Sequence, residues 1–174
     1  MCGLVGIAGK ILPVHGKEFR DLLIFDSIRG EDSTGVCAVT NTEETAVKCV
    51  GGPFELFHTL GYGKAINTFT KALIGHNRWA TIGGVSKATA HPFQFEYITG
   101  VHNGTLKNKY QLLNAPDFAV DSQALYNHME KKGLSNLLNV MEGAWALVWW
   151  DSRDETLNFL RNKERPLWVV YSKE

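Results

Sequence analysis

From Cys2 to Ala8 the chain is small and apolar, interrupted by Gly3 and Gly6, a pattern that predicts a buried strand closely approached by other backbone. Lys17 to Ile28 carries apolar residues at helical spacing and predicts an amphipathic helix. Two β-branched runs, Thr34 to Thr40 and Thr45 to Val50, flank Asn41, Thr42 and Glu43, so a hairpin is expected there. Further strands are expected at Ala72 to His76, Tyr97 to His102, Ala144 to Asp151, Thr156 to Leu160 and Leu167 to Tyr171. Helices are expected at Leu106 to Leu113, Ser122 to Lys131 and Leu134 to Met141, with Asp121 placed to cap the second. This order, without regular βαβ alternation, predicts a layered α+β domain. With no repeat, low-complexity tract or long linker, a single domain over residues 1–174 is the expectation.

Composition narrows the function without deciding it. Hydrophobic residues make up 44% and charged residues 21%, the range of an ordinary soluble domain. Eighteen basic and eighteen acidic residues cancel, and no Lys/Arg run is present to neutralise a phosphate backbone, which argues against nucleic acid as a ligand. No apolar stretch approaches the ~20 residues of a membrane span, so the expected compartment is the cytoplasm, without membrane association. Cys2, Cys37 and Cys49 lack the spacing of a zinc site, and no metal is expected. Cys37 and Cys49 read as buried free thiols within strands.

Cys2 is the most informative position. A small residue after the initiator is the usual circumstance for removal of Met1, which would give Cys2 a free α-amine. An unperturbed thiol titrates near ~8.5 and an α-amine near ~7.7–8.0, so the amine can serve as base to the thiol of the same residue. Nucleophile and base then need no histidine partner. Taken alone, a cysteine here reads more readily as a small residue opening a strand.

Three segments change that balance: Cys2-Gly3-Leu4-Val5-Gly6-Ile7, Arg29-Gly30-Glu31-Asp32-Ser33-Thr34-Gly35 and Gly75-His76-Asn77-Arg78-Trp79-Ala80-Thr81. With Ala90-His91-Pro92, Val101-His102-Asn103-Gly104, Asp121-Ser122-Gln123, Gly143-Ala144 and Arg165-Pro166-Leu167, they resemble the class II glutamine amidotransferases in order and spacing. The glutaminase domain of glucosamine-phosphate synthase is the most similar. The resemblance implies the N-terminal-nucleophile hydrolase fold, a four-layer αββα sandwich of two mostly antiparallel sheets. It also implies hydrolysis of the glutamine side-chain amide to glutamate and ammonia through a Cys2 thioester, without a cofactor.

Site roles follow from the same resemblance. Asn103, through its side-chain amide, and Gly104, through its backbone N–H, correspond to the oxyanion hole. Arg78 offers a planar fork for the substrate α-carboxylate, and Asp121 corresponds to the acceptor of its α-amine. Thr81 adds a hydroxyl contact and Trp79 walls the pocket. Arg29 and Asp32, read as a charged pair, support Cys2, while His91 and His102 position loops. Bland readings compete: an ion pair for Arg78, helix capping for Asp121, core packing for Trp79 and a type I′ turn at Asn103-Gly104.

The chain departs from the family pattern at Ile82, where histidine is frequent, and at Gln123, where an acidic residue is common. It ends at Glu174, where family domains continue through further strands, so a sandwich shortened at the C-terminus is expected. No synthase or acceptor domain is present, and a separate ammonia-accepting synthase is the expected partner. Rival functions are hydrolysis of another amide, and a non-catalytic glutamine-sensing or partner-binding module on the same fold.

Overall fold

A computed structural model of the chain describes residues 1–66 and 70–171. Its strands are β1 (Gly3–Ala8), β2 (Ser33–Val39), β3 (Glu44–Val50), β4 (Ala72–Arg78), β5 (Phe93–Gln94), β6 (Ile98–Leu106), β7 (Gly143–Asp151) and β8 (Thr156–Arg161). Its helices are α1 (Pro13–Asp26), α2 (Pro53–Phe57), α3 (Leu60–Ala65), α4 (Asp121–Lys132) and α5 (Leu134–Val140). The strands form two four-stranded sheets, ordered β1-β4-β2-β3 and β5-β6-β7-β8, and every pairing is antiparallel.

Strand alternation sorts side chains into layers. Val5 and Leu73 turn outward from the first sheet onto Phe19 and Leu23 of α1, with Leu56 of α2 and Tyr62 of α3 in the same cluster. Leu4, Cys37 and Ile74 point the other way and meet Val101, Val148 and Trp150 of the second sheet. On that sheet's far face, Ile98 and Leu106 pack on Leu125, Tyr126 and Met129 of α4 and Leu137 of α5. Each fully buried large apolar side chain contributes about 1.5–3 kcal/mol. The result is the αββα sandwich that the resemblance implies. Cys37 and Cys49 are buried free thiols on β2 and β3.

Boundaries moved where local chemistry outweighed pattern. Helix α1 starts at Pro13, before the expected Lys17, because proline is tolerated in the first turn and His15 Nδ1 accepts the Leu12 N–H at 3.0 Å. The helix expected over Leu106 to Leu113 does not form. Leu106 ends β6, and short 3₁₀ turns follow at Lys109–Gln111 and Ala115–Asp117. Asn108 takes the chain away from a helix by donating to Val140 O and accepting from Glu142 N. Leu167 to Tyr171, expected as a strand, has no strand partner among the described residues, and Trp168 is 90% exposed. A β-prone composition does not make a strand without an edge to pair with.

Candidate active site

The site lies where β1 begins, β4 ends and β6 presents an open edge. Gly3 pairs with Asn77, so Cys2, one residue earlier, falls beside the Arg78-Trp79 end of β4. The main chain of Trp79 holds the thiol from two directions, its N–H donating to Cys2 Sγ at 3.4 Å and its carbonyl lying 3.6 Å from the same sulfur. Asp32 fixes that stretch of chain: its own N–H donates to Arg78 O at 3.0 Å, and its carboxylate accepts from Ala80 N at 2.7 Å. Arg29 Nε donates to Cys2 O at 2.9 Å. Its ion-pair partner is Asp26, at 3.7 Å, and not Asp32; the expected charged pair is two separate supports. Burial pushes the Asp26 carboxyl up to about 6 despite Arg29 beside it.

Cys2 N is the peptide nitrogen joining it to Met1 and stands in for the α-amine that loss of Met1 would expose. It donates to Asn103 Oδ1 at 3.2 Å. That contact leaves Asn103 Nδ2 with no partner among the described residues. Burial pushes the Cys2 thiol up, against the opposing pull of the Trp79 N–H, the chain terminus and Arg78. The thiol is therefore protonated near neutrality and needs a base close by.

Asn103 and Gly104 lie within β6 rather than in a hairpin turn. Strand amides alternate in direction, and Leu106 N–H points off the β6 edge to Asp121 Oδ2 at 3.0 Å. Gly104, two residues earlier and opposite Trp145 in the register, turns its N–H off the same edge. A Cβ there would collide with Ala144 O and the His102 ring, so only glycine fits. Asp121, 6% exposed, is the first residue of α4 and not its cap; Val120 precedes the helix without a side-chain acceptor. The carboxylate of Asp121 also accepts the Ser122 N–H at 2.9 Å.

Arg78 is 4% exposed. Its Nη1 donates to Gly84 O at 2.9 Å and to Thr89 Oγ1 at 3.2 Å, and its Nη2 to Ile82 O at 2.6 Å. The loop 82–89 thus folds around one edge of the guanidinium. Cys2, Arg78, Trp79, Thr81, Gly104 and Asp121 line one cleft, with Ile82, His91 and His102 among the other walls. Trp79 is 57% exposed at its mouth, which removes the core reading for that residue.

The histidines are not scattered. His91 stacks on His76 with ring centres 3.9 Å apart, and His76 Nε2 lies 3.1 Å from His102 O. His102 Nδ1 meets Ser122 Oγ at 2.9 Å. Among the described residues neither nitrogen of His91 has a partner, nor do His76 Nδ1 and His102 Nε2. Burial holds His76 down to about 3, and pushes His91 well below the usual imidazole range and His102 lower in the same sense. Among the described residues no group of three or more His, Cys, Asp or Glu is arranged to hold a metal ion.

In sequence, the chain is 31% identical to the glutamine–fructose-6-phosphate aminotransferase (isomerizing) of Lactococcus lactis subsp. lactis (strain IL1403), over 97% of this chain and 30% of that protein. The same-named protein of Xylella fastidiosa (strain 9a5c) is 35% identical over 85% of this chain and 26% of its own length. In shape, it matches the glutamine phosphoribosylpyrophosphate amidotransferase of B. subtilis complexed with ADP and GMP. The TM-score is 0.69 at 24% identity, covering 87% of this chain and 35% of that one. The chain belongs to the class II glutamine amidotransferases. No family model matches it. It spans about 30% of the length of the first curated relatives, so the match to those amidotransferases concerns one part of each.

Against that family pattern, the structure gathers Cys2, Arg78, Thr81, Gly104 and Asp121 at one cleft, with Asn103 at the Cys2 nitrogen. Thr89, Ser122 and His76 stand beside them without having been singled out in the sequence. Thr89 had one faint signal, the Ser-x-x-Thr spacing of Ser86 and Thr89, which permits reciprocal hydroxyl-to-backbone bonds. Gln123, at the position where the family is acidic, accepts from Val120 N and reaches Ala88 O at 3.5 Å. Among the described residues no helix is long and apolar enough to cross a membrane.

Proposed function

We propose that this chain, once Met1 is removed, hydrolyses the side-chain amide of glutamine to glutamate and ammonia through a Cys2 thioester. The observation that carries the reading is the Cys2 nitrogen 3.2 Å from Asn103 Oδ1, with the thiol pinned by Trp79 on the other side. The freed α-amine takes the thiol proton, and sulfur attacks the amide carbon. The carbonyl oxygen becomes an oxyanion, met by Asn103 Nδ2 and the Gly104 N–H. The amine returns its proton to the departing nitrogen, ammonia leaves, and a thioester remains. Water, deprotonated by the same amine, attacks the thioester; the C–S bond breaks and glutamate and the thiol are restored.

Arg78 takes the substrate α-carboxylate and Asp121 the α-ammonium, with Thr81 and Trp79 closing the mouth. Arg29 and Asp32 hold Cys2 and the Trp79 main chain in register. The reaction is placed in the cytoplasm and needs no cofactor. The relatives in sequence are named for transfer from glutamine to fructose 6-phosphate. For this chain the ammonia is assigned to a separate acceptor synthase, whose addition raises the hydrolysis rate.

The test is release of glutamate and ammonia from glutamine by protein shown by intact mass to lack Met1. Turnover is expected in the wild type and a loss of at least about a thousand-fold in Cys2→Ala. Glutamine binding without glutamate release would establish a non-catalytic module instead, and faster hydrolysis of another amide would change the substrate.

A further inference from the structure

Thr89 has no part in the reaction just described, yet its hydroxyl is the centre of the loop that grips Arg78. It is 7% exposed. Its Oγ1 donates to Gly84 O at 2.7 Å and accepts from Arg78 Nη1 and Ser86 N at 3.2 Å each. One proton and two lone pairs are all that a hydroxyl offers, so its capacity is filled. Ser86 Oγ returns the contact by accepting the Thr89 N–H at 3.2 Å. The loop is anchored elsewhere too. Gln123 Nε2 reaches Ala88 O from α4, and Gly83, at φ +76°, lies so close to Val120 and Ala119 that a side chain would clash.

The consequence for Arg78 is geometric. A guanidinium has five N–H donors in one plane. Both Nη1 protons and one Nη2 proton go to Gly84 O, Thr89 Oγ1 and Ile82 O, all oxygens of the loop. The Nε proton and the second Nη2 proton have no partner among the described residues. Two donors of the planar fork are thus left for a ligand.

We infer that Thr89 is a positioning residue that locks Arg78 to the loop and so turns its remaining donors toward the α-carboxylate of the substrate. The inference rests on the proposed role of Arg78 in holding glutamine. Valine keeps the shape of Thr89 and deletes the hydroxyl, leaving Arg78 Nη1 and Ser86 N without this acceptor. Glutamine affinity falls, while the chemistry at Cys2, which Thr89 does not contact, is preserved.

The experiment is steady-state kinetics on Met1-free wild type, Thr89→Val and Thr89→Ser, with amide hydrogen exchange of residues 82–89 read by mass spectrometry. Thr89→Val is expected to raise KM for glutamine about ten-fold or more, with kcat within about two-fold, and to speed exchange across the loop. Thr89→Ser restores both. If Thr89→Val does not fold, Ser86→Ala removes the other half of the latch and is expected to raise KM by a smaller factor. Unchanged KM and exchange beside an active wild type overturn the latch alone. A fall in kcat at constant KM overturns it as well. A wild type that does not turn glutamine over overturns the reaction, and with it the inference.

Discussion

A thiol that burial holds in its protonated form gains most from a base attached to its own residue, because the two need not be brought together by folding. That is the advantage Cys2 would gain on loss of Met1 over a cysteine elsewhere in the chain: Cys37, also buried, is pushed up by the same desolvation and cannot carry an α-amine of its own. What folding must supply, in the proposed reaction, is hydrogen-bond donors for the oxyanion. The Asn103 amide turns Oδ1 toward the Cys2 nitrogen and leaves Nδ2 without a partner among the described residues. Asn103→Ala is expected to lower kcat about 10²–10³-fold, or about 2.7–4 kcal/mol of barrier, with a smaller change in KM. Kinetics on Met1-free protein check this, and a change confined to KM would remove the oxyanion role. Cys2 stands out in the sequence by its place after the initiator, and Arg78, Thr81 and Asp121 are named through the resemblance. Thr89 and Ser122 are given no role there, because a hydroxyl outside such a match has no distinguishing chemistry until the fold gives it a partner.

At the scale of elements, the site depends on register. The Asn103-Gly104 pair is a strong turn signal in isolation, but Gly104 lies opposite Trp145 in the middle of the β6–β7 ladder, and long-range pairing overrides the local preference. Similarly, Leu106 to Leu113 had helical periodicity, yet Asn108 and the left-handed Asn114 break the run. Buried strands such as β2 and β4 were legible because their β-branched and apolar runs are continuous. The short α2 and α3 and the two-residue β5 were not, being too brief to show a period. The same packing of β4 against β6 brings His76, His91 and His102 together as neutral rings. Their pKa values are depressed by burial, so the unfolded chain takes up protons below about 6.5 while the folded chain refuses them. Stability is therefore full above 6.5 and is lost as pH falls toward 3, by about 1.4 kcal/mol per pH unit for each excluded proton. Asp26 acts in the opposite sense between 3.8 and about 6, and Glu44, whose carboxyl burial also pushes up, acts with it. Urea unfolding from pH 7 to pH 4.5 is expected to show this loss, with a shallower slope in His91→Phe; equal slopes would mean that His91 already carries a proton in the fold.

For the whole molecule, the two sheets do more than bury apolar surface. Stacking them places the start of β1 against the open edge of β6, so Cys2 comes from one sheet and Asn103 and Gly104 from the other, while α4 brings Asp121 to the same edge. Relatives in sequence and shape share this portion as about a third of larger proteins. The α+β class and the layered order were legible from the succession of runs; the sandwich came from the resemblance, since no local pattern specifies which strands become neighbours across sheets. The central claim is that Cys2 is a nucleophile in a glutamine-selective pocket, and its most direct test is incubation of Met1-free protein with 6-diazo-5-oxo-L-norleucine, a glutamine analogue that alkylates the nucleophile. A single adduct mapping to Cys2, slowed by glutamine and absent from Cys2→Ala, is the predicted result; correctly processed protein that stays unmodified, or modified at another residue, would contradict it.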